Sequence, residues 1–204
     1  MKPIYAEGRI WLLSLLLCAF AVAFAFAFLD VPAVRFAYRF CCSGGSPAKG
    51  LGSAILLALE TLTALGVIIL RLAQGHVSPL GKALALACLC SVCAYAVNSG
   101  ILKLVFGVPI PAEIMQGVPH AFHFWHGTPD SSFPSGHMVL AGAFAGTFMR
   151  LYRISILPLA LLLLCGTLVL VLGGWHFVSD VIAGTFAGVT AGLLAGEAWL
   201  NHTK

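Results

Sequence analysis

The chain has 204 residues, of which 60% are hydrophobic and 9% charged, and its mean hydropathy is +1.01. A soluble domain carries roughly a quarter charged residues, so this composition excludes a disordered chain, a nucleic-acid-binding domain and an ordinary water-soluble enzyme. Eleven Lys and Arg against seven Asp and Glu give a net charge of +4, too diffuse for a nucleic-acid-binding patch.

The remaining class is an all-α, polytopic membrane helical bundle of about six transmembrane helices, a single transmembrane domain over residues 1–204. A span needs about 20 mostly apolar residues. The first runs from Ile10 to Leu29. A charged start precedes it, as in a signal peptide, but the run exceeds the roughly 7–15 residues of a signal h-region and reads as a retained span. The second runs from about Leu51 to Leu70, with Glu60 in its middle, and the third from about Ala83 to Phe106, with Asn98 and Lys103 near its end. The fourth covers Pro134 to Leu151, the fifth Ile154 to about Leu172 and the sixth about Phe177 to Leu200. These stretches are continuously apolar and lack the alternation of barrel strands.

Positive charge sets orientation. With six spans, one side carries Lys2, Arg9, Arg71, Lys82, Arg150, Arg153 and Lys204, and the other Arg35, Arg39, Lys49 and Lys103. That asymmetry puts both termini in the cytoplasm of a plasma or inner membrane. The loops at Gly107–Phe133 and Gly173–Trp175 then face outward, towards the exterior or periplasm.

Cys18, Cys88, Cys90, Cys93 and Cys165 fall inside spans, where thiols behave as small hydrophobes. Cys41 and Cys42 lie in an outward loop, where a disulfide with each other or with a partner chain is the alternative to free thiols. Gly184, Gly188, Gly192 and Gly196 recur every fourth residue, each preceded by alanine. Four residues advance a helix by about 400°, so these form a slowly drifting stripe that lets helix backbones approach closely. Packing inside the bundle is the expected use, and a homodimer face through Gly184, Gly188 and Gly192 is the alternative.

Polar residues cluster in the outward region. Ser131-Ser132-Phe133-Pro134-Ser135-Gly136-His137 reads as a helix start before the apolar run Met138 to Phe148. Unpaired N–H groups at a helix start point ahead of it, and the helix dipole favours an anion there. Ser135 adds a donor, Gly136 lets a ligand reach the backbone, and His137 stands beside that anion. The same pattern also describes an ordinary capped helix with a histidine at the water boundary. His176 and Asp180 are spaced i, i+4 and share a helix face. A carboxylate on one imidazole nitrogen fixes the tautomer and leaves the other nitrogen free as nucleophile or base; a structural pair is the alternative. Ionisable groups at such depth are expensive and usually functional.

Ser132-Phe133-Pro134-Ser135-Gly136-His137, with His176-x3-Asp180-Val181-x-Ala183-Gly184 about 40 residues later, resembles the type 2 phosphatidic-acid phosphatase superfamily, whose fold is shared with vanadium haloperoxidases. The resemblance covers roughly residues 98–188. It implies a lipid phosphatase acting on a lipid phosphate or diphosphate, phosphatidic acid-like or polyprenyl-type. His176 would attack phosphorus to form a phosphohistidine, Asp180 would orient it, and His137 would protonate the leaving oxygen. Ser135, the N–H of Gly136 and Lys103 would hold phosphate oxygens. No metal or other cofactor is implied.

The chain departs from the family pattern at its arginines. Ile110 stands where the Lys-x6-Arg-Pro motif has one, Val108 where a Lys-x-x-x-Gly-Arg variant would, and Leu170 six residues before His176. These departures leave three readings: compensation by other groups, an altered substrate, or a weakened or inactive enzyme. A lipid phosphotransferase is the nearest neighbour of the hydrolase, and a non-catalytic member binding an anionic headgroup or a protein partner is the rival. His120, His123 and His126 are three residues apart in the outward loop. If that loop is helical, neighbours share a face and suit a metal site or accessory headgroup contacts, the latter from His123 and His126; interfacial packing of the loop is the expected use. Trp125 and Phe124 suit the headgroup level, and Trp175 suits an anchor for the helix end. Glu60 reads either as bonded to a neighbouring helix or as a proton or substrate group.

Overall fold

The computed structural model describes residues 4–41 and 48–202, with side chains over 8–41 and 54–202. Cys42 and the side chains of Lys2, Lys49 and Lys204 lie outside them. The described residues form an all-α bundle: α1 (Ile4–Phe24), α2 (Asp30–Phe40), α3 (Ala48–Gln74), α4 (Pro79–Val97), α5 (Lys103–Phe106), α6 (Pro111–Met115), α7 (Gly136–Leu151), α8 (Ile156–Leu172) and α9 (Val178–His202). Two π-helical turns interrupt the ladder. Ala25–Leu29 joins α1 to α2, and Asn98–Leu102 joins α4 to α5.

Five stretches are long and apolar enough to cross a membrane: Gly8–Phe40, Ala54–Gln74, Pro79–Met115, Arg153–Leu172 and Val178–His202. The sixth expected span, α7, has 16 residues and a length of about 24 Å. With backbone hydrogen bonds closed inside each helix, these segments suit a hydrocarbon core, and the chain is an integral membrane protein. The first span differs from expectation. It does not end at Leu29 but continues through the π turn to Phe40, so Arg35 and Arg39 stand on a helix rather than in a loop. Pro32, which has no N–H to give, falls in the first turn of α2, where the ladder has just been re-registered.

The bundle centres on α7, which packs chiefly against α9 and α4. Its small residues allow this: Gly142, Ala143, Ala145 and Gly146 are all buried. The glycine stripe of α9 meets α7 backbone to backbone. A Cβ added at Gly184 would stand 2.5 Å from the Ser135 carbonyl oxygen, one at Gly188 2.5 Å from that of Val139, and one at Gly192 2.2 Å from that of Ala143. The stripe is therefore consumed within the chain. Packing inside the bundle, the use expected of the stripe, is the one the contact with α7 shows. The exposed leucines and isoleucines of α1, α3 and α8 are left for lipid.

Gly192→Ala should therefore lower stability by about 1–3 kcal/mol, the usual cost of overpacking a tight contact. Gly66 on α3 has nothing within 4 Å of an added Cβ, and Gly66→Ala should be neutral or stabilising by up to about 1 kcal/mol. Thermal unfolding of the two variants in detergent checks the contrast; equal behaviour would refute the α7–α9 contact.

Candidate functional site

The site forms where the starts of α7 and α9 meet. Ser135 is the N-cap of α7, and its side chain accepts from the Met138 N–H at 3.5 Å. The Ser135 N–H donates to the Asp180 carbonyl at 3.1 Å, so the first turns of the two helices are tied by backbone. Ser132, Ser135 and Gly136 are buried, and His137 is half-buried. The helix start expected from the Pro-Ser-Gly-His segment thus forms as read.

Asp180 is the hub. Its Oδ2 accepts from the Ser132 hydroxyl at 2.5 Å, from the Phe177 N–H at 2.9 Å and from His176 Nδ1 at 3.2 Å. Asp180 and Ser132 are wholly buried and His176 is 1% exposed. A carboxylate at Nδ1 places the proton there and leaves Nε2 with its lone pair. That Nε2 faces His137 Nδ1 at 3.4 Å, with the rings edge-on. Asp180 Oδ1 is buried with no hydrogen-bond partner among the described residues.

Lys103 opens α5 directly after the second π turn and is buried to 7% exposure. A π turn holds one extra residue and so rotates the residues after it. Asn98, the first residue of that turn, is also buried and donates to the Pro134 carbonyl at 3.3 Å, linking this helix to the segment that starts α7. Gly107 ends α5 in the left-handed region at φ 58°. The segment 123–127 lies across that end: the N–H groups of His123, Trp125 and Gly127 donate to the carbonyls of Phe106, Val105 and Leu104. These are the carbonyls a helix C-terminus leaves open. An added Cβ at Gly127 would stand 2.0 Å from the Lys103 carbonyl oxygen, so only glycine fits there.

This capping role explains why the three loop histidines do not form a helical face. Residues 118–123 form no helical turn, and the histidines diverge. His120 turns inward. His123 and His126 line an outer cleft of about 500 Å³ with Ile110, Glu113 and Asp130. None of His137, His176 and Asp180 lines that cleft. Among the described residues no three His, Cys, Asp or Glu side chains converge as a ligand set. Phe124 and Trp125 are exposed, while Trp175 packs against the cluster around Met138 and Leu170. Glu60 stays apart from the site, half-buried beside an apolar cavity of about 350 Å³ that Cys88, Met138 and Phe144 also line.

The sequence reading lacks Asp30 and the partners of Ser132 and His120. Ser132 was legible as part of the motif, but its bond to Asp180 was not. Asp30, wholly buried at the start of α2, accepts from the Ser179 N–H at 2.9 Å and from its hydroxyl at 2.5 Å. His120 Nε2 stands 3.4 Å from Asp30 Oδ2, at ion-pair distance but without hydrogen-bond alignment. Burial holds the His120 imidazole below its ordinary pKa, with the charge of Asp180 acting in the opposite sense. A lone aspartate at the end of an apolar run was the available signal for Asp30.

The positions of the absent arginines differ in environment. Val108 is wholly buried among Val34, Phe133 and Phe177, and Leu170 is buried beside Met138 and Val181. Ile110, half-buried, caps α6 at the edge of the outer cleft. Val108→Arg should therefore cost about 3–5 kcal/mol as an uncompensated buried charge, whereas Ile110→Arg should stay within about 1 kcal/mol of the parent. Thermal unfolding in detergent distinguishes them; a stable Val108→Arg would contradict the packing described.

A family model described as the PAP2 superfamily matches residues 82–203. Comparison with curated proteins and with solved structures finds no match. The matched segment spans α4 to α9 and holds Lys103, Ser135, Gly136, His137, His176 and Asp180. With more than half of its length matched, the chain belongs to the PAP2 superfamily.

Proposed function

We propose that this protein is a membrane phosphatase that hydrolyses a lipid phosphate or diphosphate, phosphatidic acid-like or polyprenyl-type, through a phosphohistidine. The observation that carries the reading is the chain of contacts from Asp180 Oδ2 through His176 to His137, at 3.2 and 3.4 Å. In this reading His176 Nε2 attacks phosphorus, the bond from phosphorus to the leaving oxygen breaks, and His137 gives that oxygen its proton. Water then attacks the phosphohistidine, His137 takes the water's proton, and inorganic phosphate leaves. Asp180 stabilises the positive charge that develops on the His176 ring.

A phosphoryl group in line between the two rings needs more than 3.4 Å. The His137 ring therefore swings outward on binding, which its half-buried position permits. Lys103, Ser135 and the N–H of Gly136 supply the field for phosphate oxygens. The charge asymmetry supports a site on the outward face with both termini in the cytoplasm. A lipid suits a site at the end of closely packed spans, because the substrate's hydrocarbon part stays in the bilayer.

The second reading, a weakened or inactive member that binds an anionic headgroup or a protein partner, is favoured by Leu170 and Ile110 at arginine positions. Leu170 is locked into the core. Phosphate release from a panel of lipid phosphates in detergent decides. The purified protein should release phosphate equally with and without a chelator, and His176→Ala should lose about a thousandfold or more. Release no greater than that of His176→Ala on every lipid would sink the hydrolase reading; thermal stabilisation by the same lipids would then favour the binder.

A further inference from the structure

We infer that Asp30 and His120 form a second histidine–carboxylate couple that acts as a positioning pair for His176 and Asp180, an assignment that rests on the phosphatase reading for its rate readout. Asp30 lies outside the matched residues 82–203, in the helix that crosses before them.

Four observations converge on it. Asp30 comes directly after the π turn Ala25–Leu29, whose extra residue rotates the next side chains by about 100° relative to an uninterrupted helix. The rotation matters because a carboxylate at that depth is costly on a lipid face. Turned inward, Asp30 is wholly buried and reaches across 149 residues of chain to both the N–H and the hydroxyl of Ser179. His120 closes the couple from the other side. Its ring stacks on Phe26, in the same π turn, at 4.1 Å and leans on Phe177 at 4.5 Å.

The two couples share the start of α9. Asp180 accepts the Phe177 N–H, and Asp30 accepts the Ser179 N–H. Both are among the donors that a helix start leaves open, at the end where the dipole favours negative charge. Ser179 is the residue before Asp180, and Phe177 the residue after His176. Fixing Ser179 from α2 and bracing Phe177 with His120 therefore sets the direction in which the nucleophile and its carboxylate point. A purely structural anchor would hold the helix in the bundle without affecting that direction.

The test uses the full chain in detergent. Asp30→Asn should lower kcat on the preferred lipid phosphate by roughly 10- to 100-fold, the range for losing a charge-assisted hydrogen bond, and His120→Gln by roughly 2- to 10-fold, the range for losing the ring contact that braces Phe177. KM should stay within about threefold, and the double variant should lose little more than the worse single one. A readout free of activity is the ring nitrogen spectrum of ¹⁵N-histidine-labelled protein, with His176 assigned from His176→Gln. The parent should show a single tautomer with Nδ1 protonated, and Asp30→Asn a mixture, while the exposed His202 is unchanged. If Asp30→Asn fails to fold, Ser179→Ala, which removes only the hydroxyl contact, is judged by the same criteria. Unchanged kcat with unchanged His176 signals would overturn the inference, and so would a loss confined to thermal stability. If the parent hydrolyses no lipid phosphate, the phosphatase reading falls on its own and the His176 signals alone decide this one.

Discussion

The backbone contact between α7 and α9 is the constraint on which the rest of the structure depends. Gly184, Gly188 and Gly192 leave no room for a side chain against the α7 backbone, so the two helices lie as close as helices can. At the end of this contact where both helices start, the Ser135 N–H reaches the Asp180 carbonyl. The serine–glycine–histidine start of one helix is thereby registered against the histidine–aspartate start of the other. Without that approach, His137 and His176, 39 residues apart, would not face each other.

A second constraint comes from the surroundings. In a chain with 9% charged residues, each buried polar group must find a partner inside the protein or be costly. The structure meets this by concentrating polar side chains at the helix starts. Three donors converge on one oxygen of Asp180, and both donors of Ser179 go to Asp30. The loop after α6 covers the open carbonyls of α5 with its own N–H groups. The histidine positions are set by these tasks: the loop turns His123 and His126 outward while His120 goes in against Asp30.

The spans were legible because apolar runs of sufficient length have few alternatives in a chain this hydrophobic. Ser135, His137, His176 and Asp180 were legible too, since each belongs to a local pattern: a helix start, or an i, i+4 pair. The glycine stripe was readable as a packing face, and its partner helix was not, because the spacing names no partner. Asp30 escaped because Ser179, to which it bonds, lies far along the chain, and because a π turn rotates it inward with no mark in composition. The same holds for the first span, which runs on past Leu29 through the π turn to Phe40. The divergence of the loop histidines was likewise hidden, because it depends on which carbonyls the loop covers.

The proposed role of His176, a nucleophile made ready by Asp180 and opposed by His137, is tested by the chemical identity of a trapped intermediate. The protein is incubated with a lipid phosphate labelled at phosphorus, quenched in alkali and digested. Label should appear on the peptide containing His176, stable to alkali and released by acid, as expected of a phosphoramidate. Steady hydrolysis with label on another residue, or with no protein-bound label under rapid quench, would contradict it.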